Sequence, residues 1–279
     1  MSIVVVTDST AYLPDIDESQ RVTVVPLHVV MSGVSGREGL EIGPGEVAKA
    51  LSARAAVSTS QPTPGEFAAV YRDLFEAGAT GIVSIHLAAG LSGTFGCAEI
   101  AAAQVDGPVE VIDSGSTGMG LGFVALAAAA AAADGFDISG VRETATTAID
   151  NISTFFYVDT LEHMRRGGRI TAVSALLGTA LAVKPLLEVV SGKIVLRDKV
   201  RTAARALDRL VALVCEAAGP GRVELAVHHL AAAERASYLT ETLRERLGDR
   251  IESIYTSQVG AVVAAHVGPG LAGVVVRRL

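Results

Sequence analysis

Short runs of branched apolar residues recur along the chain: SIVVVTD, VTVVPLHVV, TGIVSIHL, PVEVIDS, TFFYVDT, KIVLRDK, VELAVHHL and GAVVAAHV. Alanine- and leucine-rich stretches with helical spacing lie between several of them, at 65–77, 95–104, 119–133 and 139–150. Strands that alternate with helices predict a largely parallel sheet covered on both faces. The first half fits this pattern best. In the second half a helix-forming region follows DTLEHMRRGGRI. Next come a hairpin in VVSGKIVLRD turned at Ser191-Gly192, a helix from about 201 to 217, and a strand, helix, strand and final strand AGVVVRRL. The expected fold class is therefore α/β with two domains. A parallel-sheet α/β/α unit would span 1–155 and an α/β unit with a mixed sheet 156–279. No linker rich in Pro, Gly or Ser divides them, which predicts close packing.

Composition narrows what such a fold would do. Half of the residues are apolar, only 4% are aromatic and there is no Trp, so the core is built from small and branched aliphatics. A net charge of −7 without a basic block argues against a nucleic-acid partner. Cys97 and Cys215 form neither a disulfide framework nor a zinc pattern and read as buried thiols. The opening run MSIVVVTD is short, lacks a basic start and ends in an acid, and the alanine stretch 125–133 is too short to span a bilayer. A cytoplasmic protein without stable membrane insertion is expected. No His, Cys or acid cluster suggests a metal.

Polar clusters fall where the strands end. TDST follows the first strand, SIHLAAGLSGT the third run and IDSGSTGMGLG the fourth, while STSQPTPGEF opens a helix with Thr63 as N-cap, Pro64 first and Glu66 three residues on. Ligands of doubly wound sheets bind beyond the carboxyl ends of the strands, so these loops are the expected rim of a site. Ser92 has three readings there. A nucleophile would need the G-x-S-x-G elbow, yet the glycine of GLSGT comes one place early, and no acid stands out to orient His266. A helix cap is structurally ordinary. A cap that also donates to an anion, with Gly90 and Gly93 letting backbone approach a ligand, is the preferred combination. GSTGMGLG lacks the lysine of a phosphate loop, and its glycines are expected to serve close helix packing. His266, in AAHVGPGLAG, is either a satisfied core histidine or a donor in a dry pocket. Arg165, Arg166 and Arg169 surround Gly167-Gly168 at an expected helix end. Arg169 is best placed to reach a ligand. Arg201 and Arg205 are expected on one helix face, either solvated or docking a partner.

Seven landmarks in register identify a resemblance to the DegV family of bacterial fatty-acid-binding proteins. They are VTDSTAYLP, STSQPTPGEF, SIHLAAGLSGTFGCAEIAA, VIDSGSTGMGLGF, VDTLEHMRRGGRI, LAVKPLL with KVRTAARAL, and GAVVAAHVGPGLAG. The chain departs from the family's pattern at Ala88, Ala89 and Tyr12. The resemblance implies a two-domain fold that buries a long-chain fatty acid as its ligand and needs no cofactor. It implies a carboxylate site at Thr63, Ser92, Gly93 and His266, with Arg169 in the same polar network. It further implies a carrier without catalysis of its own, a subunit of a bacterial fatty acid kinase serving phospholipid metabolism. Such a carrier presents the acid to a separate dihydroxyacetone-kinase-like subunit that phosphorylates the carboxylate. The basic segment with Arg201 and Arg205 would take part in that docking. The competing expectation is an α/β enzyme, either a serine hydrolase or a sugar-ketone or phosphate-handling relative, that uses Ser92.

Overall fold

The computed structural model describes residues 2–13, 22–169 and 183–279. Its first sheet is parallel and runs in the order β2 (Val22–Val25), β1 (Ile3–Asp8), β6 (Gly81–His86), β7 (Val109–Asp113). Every residue of β6 is buried, as a central parallel strand requires when both faces are covered. Val6 and Ile82 face α2 (Pro64–Glu76) and α3 (Thr94–Ala102), while Val5 and Val83 face α4 (Met119–Ala133) and α5 (Ile138–Asp150). Helix α4 buries 11 of its 15 residues, because it lies between this sheet and a second one. Gly122 lets it come close: a Cβ there would sit 2.5 Å from the Ala11 carbonyl oxygen. The glycines of GSTGMGLG therefore serve packing, with Gly118 as N-cap of α4.

The second sheet is mixed and has the order β10 (Lys193–Val200), β9 (Lys184–Val190), β8 (Ile152–Tyr157), β13 (Ala272–Arg278), β11 (Val223–His229), β12 (Ile251–Gln258). Helices α7 (Ala203–Ala218) and α8 (Ala233–Leu247) cover its outer face with a core of their own. Strand β8 pairs with β9 and β13 from Ile152 onward, so this sheet begins inside the segment expected to belong to the first unit. The hairpin turns at Ser191 (φ 48°) and Gly192 (φ 73°), both left-handed as a two-residue turn demands.

Four local expectations are corrected. VTVVPLHVV is two strands, because Pro26 cannot donate to a ladder: β2 joins the parallel sheet, and β3 (His28–Met31) joins a small antiparallel sheet. That sheet has the order β4 (Val34–Arg37), β3, β5 (Val57–Ser60), and α1 (Pro44–Ser52) follows β4. GAVVAAHV forms a helix, α9 (Ala261–Val267), bracketed by Gly260 and Gly268 and packed on α1 and on α6 (Glu162–Arg166). Arg201 precedes its helix, since Thr202 is the N-cap of α7 and accepts from the Arg205 amide; Arg201 and Arg205 therefore share no helix face, although both are exposed. The helix-forming region expected after residue 169 lies largely outside the described residues, and its last part is strand β9. Both cysteines are free and half-buried. No helix among the described residues is long and apolar enough to cross a membrane.

Candidate functional site

A cavity of about 110 Å³ lies where the loops of the parallel sheet, the small sheet, α9 and the mixed sheet meet. Leu27, Leu87, Phe156, Val189, Ile194 and Val262 give it apolar walls. Thr59, Gln61, Ser92, Arg169 and His266 also line it and form its polar part. Strand β5 presents Thr59, whose Oγ1 lies 2.8 Å from His266 Nε2 on the last turn of α9. Gly167 backs the same ring, and a Cβ there would fall 2.3 Å from His266 Nδ1, so only glycine fits. The chain then turns through Gly168 (φ 73°) and delivers Arg169, whose Nε donates to the Leu91 carbonyl at 3.0 Å. That bond ties the arginine to the loop carrying Ser92.

Ser92 is held by its own turn. Its Oγ lies 2.8 Å from Thr94 Oγ1 and accepts from the Thr94 amide at 3.3 Å, at the start of α3. The N-cap itself is Gly93, which is exposed and has the Gln61 amide group 3.2 Å from where a Cβ would stand. Gly90 likewise meets protein: a Cβ would lie 2.5 Å from the Gly192 carbonyl oxygen of the hairpin turn. The glycines that frame Ser92 thus admit neighbouring chain, where the sequence suggested room for a ligand. Thr63 does not line the cavity. It is exposed and closes a capping box, accepting from the Glu66 amide while Glu66 accepts from the Thr63 amide and hydroxyl. Residue spacing alone could not separate Thr59 from Thr63; only β5 turns the former toward His266.

Among the described residues that line the cavity, Arg169 is the one permanent positive charge. Burial, helped by that charge, pushes His266 down to about 4 and keeps it neutral at ordinary pH. His266 Nδ1 is buried without a hydrogen-bond partner among the described residues. Further along the cavity, burial and His229 hold His228 down at about 4, where its Nε2 accepts from the Met119 amide and its Nδ1 lies 3.1 Å from Ser257 Oγ. The described residues contain no group of three or more His, Cys, Asp or Glu able to hold a metal.

The arrangement does not favour nucleophilic chemistry at Ser92, whose oxygen pairs with a threonine and not with a histidine. An aspartate–histidine–serine array does exist elsewhere. Asp8 Oδ2 lies 3.1 Å from His86 Nδ1, His86 Nε2 lies 2.7 Å from Ser84 Oγ, and Ser84 Oγ lies 2.8 Å from Tyr71 Oη. All four side chains are sealed in the core, and Asp8 also accepts from the amides of Leu87 and Thr10. The array is structural: it anchors the start of the loop that carries Ser92. The sequence reading missed it, although Ser84 and His86 stand two apart on one strand and so face the same side.

Comparison with known proteins agrees with this architecture. The family described as "Uncharacterised protein, DegV family" matches residues 2–279. A DegV domain-containing protein of Streptomyces coelicolor is 49% identical over 275 residues, covering 98% of each chain. A DegV family protein from Thermus thermophilus, whose structure is described as showing fatty acid binding, superposes with a TM-score of 0.94 at 34% identity, covering 100% of both chains. DegV of Bacillus subtilis, described as a fatty acid binding protein, gives 0.92 at 33% identity, again over 100% of both chains. The protein belongs to the DegV family.

Proposed function

We propose that this protein binds a long-chain fatty acid, with the alkyl chain in the apolar cavity and the carboxylate against Arg169, Ser92, His266 and Thr59. The observation that carries this is the guanidinium of Arg169, the single one among the described lining residues, set among hydroxyl and imidazole groups in a largely apolar wall. A carboxylate taken out of water needs a charged partner and several donors, and this group offers both. Each buried methylene would add about 0.8 kcal/mol, so the chain supplies most of the affinity and the polar group the orientation. Gly93 contributes only as backbone beside Ser92. The two fatty-acid-binding relatives support the same ligand class.

The protein performs no catalysis in this reading. It presents the acid to a dihydroxyacetone-kinase-like subunit, which phosphorylates the carboxylate, and the exposed Arg201 and Arg205 join that docking surface. Denaturing mass spectrometry of freshly purified protein tests the first part. An acyl lipid is expected, and it should be retained less well by Ser92→Ala and His266→Ala with the fold left intact. Absence of lipid together with no binding of added fatty acid would sink the reading. The second part predicts that Arg201→Ala with Arg205→Ala slows acyl phosphate formation by the kinase subunit while fatty acid affinity stays the same.

A further inference from the structure

A second cavity, of about 350 Å³, adjoins the first, and Tyr12 lines both. Its ring stands edge-on to His228 on one side, with centroids 5.7 Å apart. On the other side it packs against Gly260, where a Cβ would lie 2.6 Å from the ring. The Tyr12 hydroxyl is buried beside the Gly260 and Val263 backbone, and it makes no well-formed hydrogen bond among the described residues. Burial, reinforced by Glu38, keeps that hydroxyl protonated by raising its pKa well above the ordinary value. The backbone at Tyr12 is left-handed (φ 50°), a conformation that disfavours any residue with a large side chain. Tyr12 takes this conformation as the C-cap of the 3-10 turn Ser9–Ala11, which sets its ring between the two spaces.

The first cavity is small for the proposed ligand. An engineered cavity of about 150 Å³ takes a single benzene, and about 110 Å³ is available here. A long alkyl chain therefore needs further room, and the second cavity offers the adjoining space. Apart from the Tyr12 hydroxyl, its polar side chains are engaged: Glu38 accepts from Ser9 and from the Val262 amide, and Asp8 belongs to the buried array. What it presents to a ligand is apolar, from Ala11 and Pro26 inside to Val24 and Leu40 at an exposed rim.

We infer that Tyr12 is a specificity-determining wall: it sets how much alkyl chain the protein accepts, and the second cavity takes the distal part of a longer chain once the ring is displaced or removed. This rests on the fatty-acid reading. The experiment measures affinities for laurate, palmitate and behenate in the full chain and in Tyr12→Gly, Tyr12→Asn and Tyr12→Phe, with melting temperatures alongside. Glycine and asparagine both tolerate the left-handed backbone while opening the wall. Either should raise the affinity for behenate relative to palmitate by about tenfold or more, the effect of roughly two further buried methylenes. Tyr12→Phe, which keeps the ring, should leave that ratio as in the parent protein. An unchanged ratio in folded Tyr12→Gly or Tyr12→Asn overturns the inference, as does an equal shift in Tyr12→Phe. Loss of folding in both opened variants overturns it too, by making Tyr12 a core residue and not a partition. If the parent protein binds none of the three acids, the fatty-acid reading fails first and this inference falls with it.

Discussion

Two buried polar groups flank the loop that follows β6, and they are built on opposite terms. In the array of Asp8, His86, Ser84 and Tyr71, each side chain bonds the next, and Asp8 also takes two backbone amides. In the cavity group, Thr59 and His266 bond each other and Ser92 bonds Thr94, yet His266 Nδ1 is left without a partner and Arg169 faces a space with no carboxylate beside it among the described residues. Buried polar atoms that satisfy one another stabilise a fold, whereas atoms left short of partners cost stability until a ligand supplies them. The first array makes the second possible, because Asp8 holds the Leu87 amide at the root of the loop that ends in Ser92.

Breaking the satisfied array should have the largest effect. Asp8→Ala strands two buried amides and the His86 ring, and is expected to lower unfolding stability by about 3–5 kcal/mol in denaturant titration. A loss below 1 kcal/mol would show that the array is dispensable. Acidification comes next. His266 sits at about 4 in the fold, against an ordinary value of 6.5. Between those values the unfolded chain binds a proton that the folded one refuses. Stability should therefore be undiminished by His266 above pH 6.5 and fall as pH drops toward 4, by up to about 3 kcal/mol. His266→Asn should flatten that part of the stability–pH curve, and an unflattened curve would contradict the assignment. Removing the charge of the cavity group, with Arg169→Met, should weaken fatty acid binding by about 2 kcal/mol, near thirtyfold, by isothermal titration. The smallest effect sharpens the contrast between neighbours: Thr63→Ala should cost about 1 kcal/mol of stability through its lost cap and leave fatty acid affinity unchanged. If Thr63→Ala instead weakened binding as much as Thr59→Ala, the cavity group would have to be redrawn.

Much of the local structure was legible. STSQPTPGEF announces α2 through its capping box, the limits of α4 follow from its glycines and alanines, and Ser191-Gly192 turns the hairpin as read. The site was legible in part. His266, Arg169 and Ser92 do meet at one cavity, whereas Thr63 and Gly93 lie outside its wall and Thr59 went unnoticed. The reason is contact range: Thr59 and His266 stand 207 positions apart, and nothing in VSTS says which hydroxyl that histidine will reach.

The sequence by itself determined those features whose physics is short in range: caps, glycine-permitted turns, the all-buried central strand, and a composition able to build an aliphatic interior. Tertiary structure decided the rest. It made GAVVAAHV a helix although its valines suit a strand, because Glu38 accepts the Val262 amide near its start and α1 and α6 pack along it. It divided VTVVPLHVV between two sheets, and it set Tyr12 between two cavities. Each of these depends on groups far apart in the chain, whose contacts exist only once both sheets are in place.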